Sequence, residues 1–291
     1  MPITRMSSEI PRILDGYRHL SVHSVFTSTV NVRAGHRLVN CSTGVTSSPN
    51  GIEVTPESLR RLRRLCCRTP REVLEWCPVD RTIASRIGGV VIAATPQTVV
   101  FDTVLPTARG DRLPASASAL VAHLSRTRAR TGLGEDWLAL TTDPAITGAV
   151  DSLVRGRVDE AVTYWLGRGP GLTPSGDDLL VGMLIALQFS GVMDSSDLVP
   201  LRESVNIAAS CRTTDISAEY LHYACRGMVT GMVSDLLVAL DRSNTVAVLG
   251  AVDRLSRYGH TSGMDCVLGV VMGLLVPSLV SGQRDGVQSE P

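Results

Sequence analysis

The octapeptide pattern S-G-x-D-x-x-x-G occurs twice, at Ser175–Gly182 and Ser262–Gly269, 87 positions apart. Each copy follows a lead-in rich in Gly and Thr and opens a long run without charge. The chain therefore builds the same helix start twice, and where one such start is ordinary, two matched ones point to a site. In each copy the Asp and the Gly four residues later share one helical face, which sets a carboxyl beside a spot without a side chain. Either copy alone reads equally well as a helix cap: Ser175-x-x-Asp178 and Ser262-x-x-Asp265 resemble capping boxes with Asp in place of Glu or Gln. The repetition favours a site, in which Asp178 and Asp265 would form a carboxylate pair if the two helix starts converge.

The rest of the chain divides by pattern. From His19 to about Val54 it alternates and favours β-branched residues, as does the segment from Gly88 to Val104, so both read as short strands. Thr46 to Gly51 is a turn whose Asn50-Gly51 pair suits positive φ. Pro56 starts a helix with Leu59, Leu62, Leu65 and Cys66 at helical spacing. From Ser116 onward helical spacing dominates, roughly over 116–130, 146–166, 176–190, 197–211, 215–240 with a break near Gly227 to Gly231, 243–257 and 262–276. The predicted fold is α+β: a β-rich N-terminal module over 1–110, then a mainly helical domain over 111–291 that carries the S-G-x-D loops. Pro106, Gly110 and Pro114 mark the boundary.

Composition excludes several classes. All 28 basic residues are Arg and none is Lys, which removes Schiff-base chemistry, a pyridoxal phosphate anchor and a P-loop lysine. Net charge is zero, and the basic run Arg60, Arg61, Arg63, Arg64, Arg68 and Arg71 has no interleaved aromatics, so it reads as a solvated face and no nucleic-acid partner is expected. The seven Cys show no C-x-x-C spacing and read as reduced, mostly buried thiols. Cys266 to Gln283 lacks charge but is interrupted by Gly269, Gly273 and Pro277, which argues for a buried helix over a membrane span. Without an apolar leader at the N-terminus, a cytoplasmic location is expected.

Chemistry-bearing residues gather at the two motifs. In the stretch from Gly167 to Asp178, the glycines, including Gly171 and Gly176, allow close backbone approach, Thr173 and Ser175 offer hydroxyls, and Arg168 offers a bidentate clamp. Such a loop suits a phosphate or carboxylate. Asp177 belongs to the same helix start. In the second copy His260 precedes Thr261, Ser262 and Gly263 and is the leading general acid/base candidate among six His. A third polar helix start contributes Thr213, Thr214 and Ser217, which either cap that helix or complete the pocket.

Three strings, Gly-Leu-Thr-Pro-Ser-Gly-Asp-Asp at 171–178, Thr-x-Ile-Ser-x-x-Tyr-Leu at 214–221 and Gly-His-Thr-Ser-Gly-x-Asp at 259–265, resemble the family of the oxamate carbamoyltransferase subunit of allantoin degradation. The segments His23–Phe26 and Ser48–Ile52 are similar too. The resemblance implies transfer of a carbamoyl group between carbamoyl phosphate and a small amide or amine acceptor such as oxamate, by a chain that works with partner subunits or as an oligomer. On that expectation Arg168, Gly171, Thr173, Ser175, Gly176, Asp177, Thr213, Thr214, Ser217, Thr261, Ser262 and Gly263 bind substrate. Asp178, Asp265 and His260 orient the acceptor or move its proton, and no cofactor or metal is required. Two other readings stay open: a metal-dependent amidohydrolase or cyclase with Asp177, Asp178 and Asp265 around Mg²⁺ or Mn²⁺, and a non-catalytic subunit that binds an anionic metabolite within a multi-chain complex.

Overall fold

A computed structural model describes residues 1–44, 46–68, 73–85, 89–108, 112–127, 130–133, 140, 143–191 and 198–287. Of the positions cited above, Arg71, Gly88, Gly110, 128–129 and 197 lie outside these. The fold is α+β, with a β-rich N-terminal part and a mainly helical C-terminal part. The chain divides into two compact units, Met1–Thr103 and Val104–Pro291.

The first unit is built on one nine-stranded sheet. Its strands are β1 (Ile3–Ser7), β2 (His19–Val25), β3 (Thr29–Ala34), β4 (Arg37–Ser42), β5 (Gly51–Val54), β6 (Val73–Cys77), β7 (Thr82–Ser85), β8 (Gly89–Ala93) and β9 (Val99–Phe101). They lie in the order β8-β7-β6-β2-β3-β4-β5-β1-β9. Neighbours are antiparallel except β4–β5 and β1–β9. A parallel bridge from Pro2 to Ala93 returns the end of β8 to the start of β1. The β3–β4 hairpin pairs Val30 with Cys41 and Val32 with Val39, and its turn needs Gly35 at φ 58°. Helix α1 (Ile10–Leu14) follows β1, and α2 (Pro56–Arg68) packs on β2 and β3 with Leu59, Leu62 and Cys66 buried and Arg60, Arg61 and Arg64 exposed.

The Thr46–Gly51 turn departs from expectation. Positive φ falls on Ser47, and neither Asn50 nor Gly51 adopts it. Asn50 instead closes the turn with its side chain: Nδ2 donates to the Leu38 carbonyl at 3.0 Å and Oδ1 accepts from Ser48 Oγ at 2.8 Å. Gly51 is there because an added Cβ would lie 2.9 Å from the Ser48 carbonyl oxygen.

The second unit contains α3 (Leu113–Thr127), α4 (Pro144–Val154), α5 (Val158–Trp165), α6 (Ser175–Ser190), α7 (Val199–Arg212), α8 (Asp215–Cys225), α9 (Gly231–Asp241), α10 (Thr245–Ser256) and α11 (Ser262–Val287). The single helix expected over 146–166 is two, because the chain turns at Gly156 with φ 75°. Helix α6 buries nearly every residue from Ser175 to Phe189 and packs along α11 at the centre of the core. A Leu buried there contributes about 1.5–3 kcal/mol. No helix among the described residues is long and apolar enough to cross a membrane. All seven Cys are free; Cys41, Cys66, Cys225 and Cys266 are buried, and Cys67 and Cys211 are exposed.

Candidate functional site

The repeated motif builds a crossing of α6 and α11 related by a local two-fold. A Cβ on Gly182 would lie 2.1 Å from the Cys266 carbonyl oxygen and 2.9 Å from the Val270 nitrogen. A Cβ on Gly269 would lie 1.9 Å from the Leu179 carbonyl oxygen and 2.9 Å from the Met183 nitrogen. These contacts interchange when each residue is replaced by its equivalent in the other copy. The motif's first glycines also match: a Cβ on Gly176 would meet the carbonyl oxygen of Trp165 at the end of α5, and one on Gly263 that of Leu255 on α10, each at 1.9 Å. All four glycines therefore admit backbone where no side chain fits.

The serines are not caps. Pro174 occupies the N-cap position of α6 without a side-chain cap bond, and the Asp177 and Asp178 amides donate to its carbonyl at 2.9 and 3.1 Å. In the second copy the Met264 and Asp265 amides donate to the Thr261 carbonyl at 2.8 and 2.9 Å. Ser175 and Ser262 are thus the first helical residues, and their hydroxyls are free to reach across. Ser262 faces Asp178, and Ser175 faces Asp265. Each motif's serine serves the other motif's aspartate, so the two helix starts converge, and Thr173 Oγ1 to Ser262 Oγ at 2.7 Å ties them further.

The two aspartates have unlike surroundings. Burial pushes the Asp178 carboxyl well above the ordinary range; the Ser262 and Thr173 hydroxyls oppose this, and the Asp265 and Asp177 charges add to it. Asp265 is 1% exposed, and burial raises it too. Three groups hold it down: the Gly132 amide, which donates to Oδ1 at 2.9 Å, and the Ser175 and Thr261 hydroxyls. Asp265 Oδ2 and Asp178 Oδ2 are nevertheless buried without a hydrogen-bond partner among the described residues. Tyr258 lies against Asp178, its phenol pushed well up by the Tyr220 phenol, with which it is hydrogen-bonded, and by burial. The Cys266 thiol is pushed up by burial and by both aspartates, so it is a neutral neighbour and no nucleophile.

Asp177 faces elsewhere. Oδ1 accepts from the Gly167 amide at 2.7 Å, and Oδ2 accepts from Ser217 Oγ at 2.7 Å and from Thr213 Oγ1. With Asp177 0% exposed, these bonds pin the 167–174 loop and the start of α8 to α6. Thr214 caps α8, its Oγ1 accepting from the Ser217 amide at 3.1 Å and donating to the Leu172 carbonyl. Thr213, Thr214 and Ser217 therefore converge on Asp177 and its loop. Among the described residues no three His, Cys, Asp or Glu side chains are grouped to hold a metal ion.

The remaining candidates line the outer side. Arg168 is exposed and stacks over the Tyr164 ring, 4.4 Å from its centroid. Its carbonyl accepts from the Gly176 amide at 2.8 Å, which commits that amide to the backbone; the Gly263 amide is likewise spent on the Tyr258 carbonyl. Gly171 is exposed at φ 99° with open space around it. His260 is exposed and makes no hydrogen bond or ion pair among the described residues. Sequence reasoning overlooked Gly132, Tyr220, Tyr258 and Cys266. Tyr220 and Tyr258 lie inside or beside the quoted strings and carried a signal; Gly132 carried none.

Residues 165–274 match the family model described as oxamate carbamoyltransferase subunit AllH. The expected family resemblance is thus shown, over the segment that supplies both S-G-x-D motifs and the start of α8. No solved structure matches the chain. Gly132 lies outside the AllH match, so the site draws one of its contacts from beyond the family segment.

Proposed function

We propose that this chain is a carbamoyltransferase subunit of the AllH type, which handles carbamoyl transfer between carbamoyl phosphate and a small amide acceptor such as oxamate at the crossing of α6 and α11. The AllH match supports a carbamoyltransferase-related role. The observation that carries the site is the crossed pairing of Ser175 with Asp265 and of Ser262 with Asp178, which a pair of simple helix caps does not need.

In this reading the acceptor's N–H faces Asp265 and gives up its proton there as the nitrogen attacks the carbamoyl carbon. The C–O bond to phosphate breaks, and the proton leaves with the phosphate. Asp178, whose carboxyl burial pushes up, donates to the oxygen on which charge develops, with Thr173 and Ser262 as further donors. A dianionic phosphate next to two buried acids is unfavourable, so the phosphate end lies at the outer side, towards Arg168, Gly171, Thr173 and Thr261, with exposed His260 as a proton carrier at the rim. Ser175, Gly176, Gly263, Asp177, Thr213, Thr214 and Ser217 shape and brace this arrangement.

The test incubates the chain, alone and with its partner subunits, with carbamoyl phosphate and oxamate, and follows phosphate release and carbamoylated product. Asp178→Ala and Asp265→Ala each lower the rate by a factor on the order of 10² or more. Unchanged turnover in both variants refutes the assignment of chemistry to this site. Full turnover by the partners without this chain would reduce it to a non-catalytic anion-binding subunit.

A further inference from the structure

We propose that the Asp178–Asp265 pair is a receptor for a primary amide group, whose N–H bonds to Asp265 Oδ2 and whose carbonyl accepts from Asp178 Oδ2. The inference takes its choice of ligands from the carbamoyltransferase reading, but its geometry stands on three observations. Two carboxyl oxygens are buried without a partner among the described residues at one helix crossing. Buried polar atoms in native proteins are rarely left so, and a ligand is one way to satisfy them. Ser175 of one helix lies beside Asp265 of the other, and Ser262 beside Asp178, so both carboxyls sit at the same junction. Their surroundings are unlike, with the Gly132 amide serving only Asp265.

The unlike surroundings decide the ligand. Asp265 Oδ1 accepts the Gly132 N–H at 2.9 Å, a bond that favours its charged form, whereas Asp178 has only hydroxyls beside it and two further acids, so the proton of the pair belongs on Asp178, which then needs an acceptor, and Asp265 needs a donor. A primary amide supplies one of each from adjacent atoms. A carboxylate or phosphate supplies acceptors only and sets negative charge against Asp265. Among the described residues the titratable groups whose charge acts on Asp178 or that lie beside it are Asp177, which points to the 167–174 loop, Asp265, Cys266 and Tyr258 with its partner Tyr220, none of them cationic. Rising pH therefore removes the Asp178 proton and turns donor into acceptor, which ejects the amide carbonyl. Both oxamate and carbamoyl phosphate carry the required amide.

Calorimetric titration of the folded chain with oxamate, oxalate, inorganic phosphate and carbamoyl phosphate, at mildly acidic and at alkaline pH, tests this. Oxalate has oxygen in place of the oxamate NH₂ and carries a second negative charge, and inorganic phosphate is likewise more charged than oxamate, so plain anion binding would favour these two and amide recognition favours oxamate. Oxamate binds on the order of 10-fold or more tighter than oxalate, and weakens as pH rises. Competition by carbamoyl phosphate identifies the carbamoyl amide as an occupant, and its independence from oxamate identifies the acceptor amide. Asp265→Asn weakens oxamate by roughly 10- to 100-fold, with circular dichroism verifying the fold, and Asp178→Asn, whose amide donates without titrating, flattens the pH profile. Oxalate or phosphate binding as tightly as oxamate, or no amide binding at all, overturns the proposal. Oxamate binding with this selectivity, but without carbamoyl transfer in the presence of partners, leaves the receptor standing and removes the transferase reading.

Discussion

Replacing Gly182 or Gly269 by alanine tests the helix crossing on which everything at the site depends. In an open helix this exchange is favourable, by up to ~1 kcal/mol, because glycine loses more backbone entropy on folding. At the crossing the new methyl would sit 2.1 Å from the Cys266 carbonyl oxygen in one variant and 1.9 Å from the Leu179 carbonyl oxygen in the other. Real Cβ contacts essentially never fall under 3.0 Å, so α6 and α11 must separate by roughly 1 Å. The obstructing atoms are backbone and cannot rotate away, which puts the cost at the upper end of the ~1–3 kcal/mol typical of overpacking, or beyond it. The net loss is about 2 kcal/mol, or about 4–8 °C in melting temperature for a unit of this size. Gly148 and Gly250 are the internal controls. Both are in helices, but a Cβ on Gly148 meets nothing within 4 Å and one on Gly250 meets only Arg254 Nη1 at 3.8 Å. Alanine there raises stability by about 0.5–1 kcal/mol. The assay is thermal and urea unfolding followed by the helical circular-dichroism signal, which reports chiefly on the helical unit. Gly182→Ala and Gly269→Ala proteins as stable as wild type would refute the close crossing, and opposite signs for the two pairs of variants would sustain it.

Three further outcomes follow from the same geometry. Asp177→Ala strands the Gly167 amide and the Thr213 and Ser217 hydroxyls, and costs about 3 kcal/mol or more by urea unfolding; a loss of activity with unchanged stability would instead make Asp177 a substrate ligand. Gly132→Ala places a methyl 2.2 Å from Ser175 Oγ and 2.5 Å from Thr261 Oγ1, and lowers oxamate affinity and turnover far more than melting temperature, as paired binding and unfolding measurements reveal. Asp178 is raised by folding, so the folded state holds its proton more tightly than the unfolded chain; its contribution is fully present below an unfolded value of about 3.9 and is lost as pH rises towards the folded value. Asp178→Asn is therefore more stable than wild type at neutral and alkaline pH, and that advantage vanishes in acid; a gain that is the same at every pH would contradict the raised carboxyl.

The readable parts of the sequence were those where local pattern and tertiary demand coincide. Leu59, Leu62 and Cys66 carry helical spacing and are the residues α2 buries. The β-branched run through Val30 and Val32 forms β3 in the middle of the sheet. The repeat exposed the two central helices because burial on all sides leaves an uncharged stretch that needs no further interpretation. Local pattern failed where a residue's role is set from afar. Ser175 has a cap's sequence context, yet Pro174 takes that position and the hydroxyl crosses to Asp265. Asp177 and Asp178 are neighbours in sequence, but successive helical residues diverge by about 100°, so one braces a loop and the other enters the site. Gly132 reaches Asp265 from 133 positions away. Strand β1 was missed at Ile3–Ser7 because its partners, β5 and β9, lie far along the chain.

The local two-fold also accounts for how one motif, used twice, yields two different acids. Symmetry fixes position: Ser175 and Ser262, Asp178 and Asp265, Gly182 and Gly269 occupy equivalent places on α6 and α11. A perfectly symmetric pair of carboxyls would share a proton without preference between them. What surrounds the pair is not symmetric. The Gly132 amide and the Thr261 hydroxyl stand on the Asp265 side; Pro174, the equivalent of Thr261 in the first copy, has no hydroxyl, and Thr173 beside it supplies the one that reaches Asp178. On the Asp178 side stand Tyr258, Tyr220 and the Asp177 charge. Both carboxyls are raised by burial and both have hydroxyls beside them; the difference is the Gly132 N–H bond, which favours the charged form of Asp265, and the Asp265 and Asp177 charges, which push Asp178 further up. On the proposed reading, a duplicated helix start supplies the positions of an acid and base pair, and the unlike elements packed against it supply the difference in acidity by which the two would take different roles.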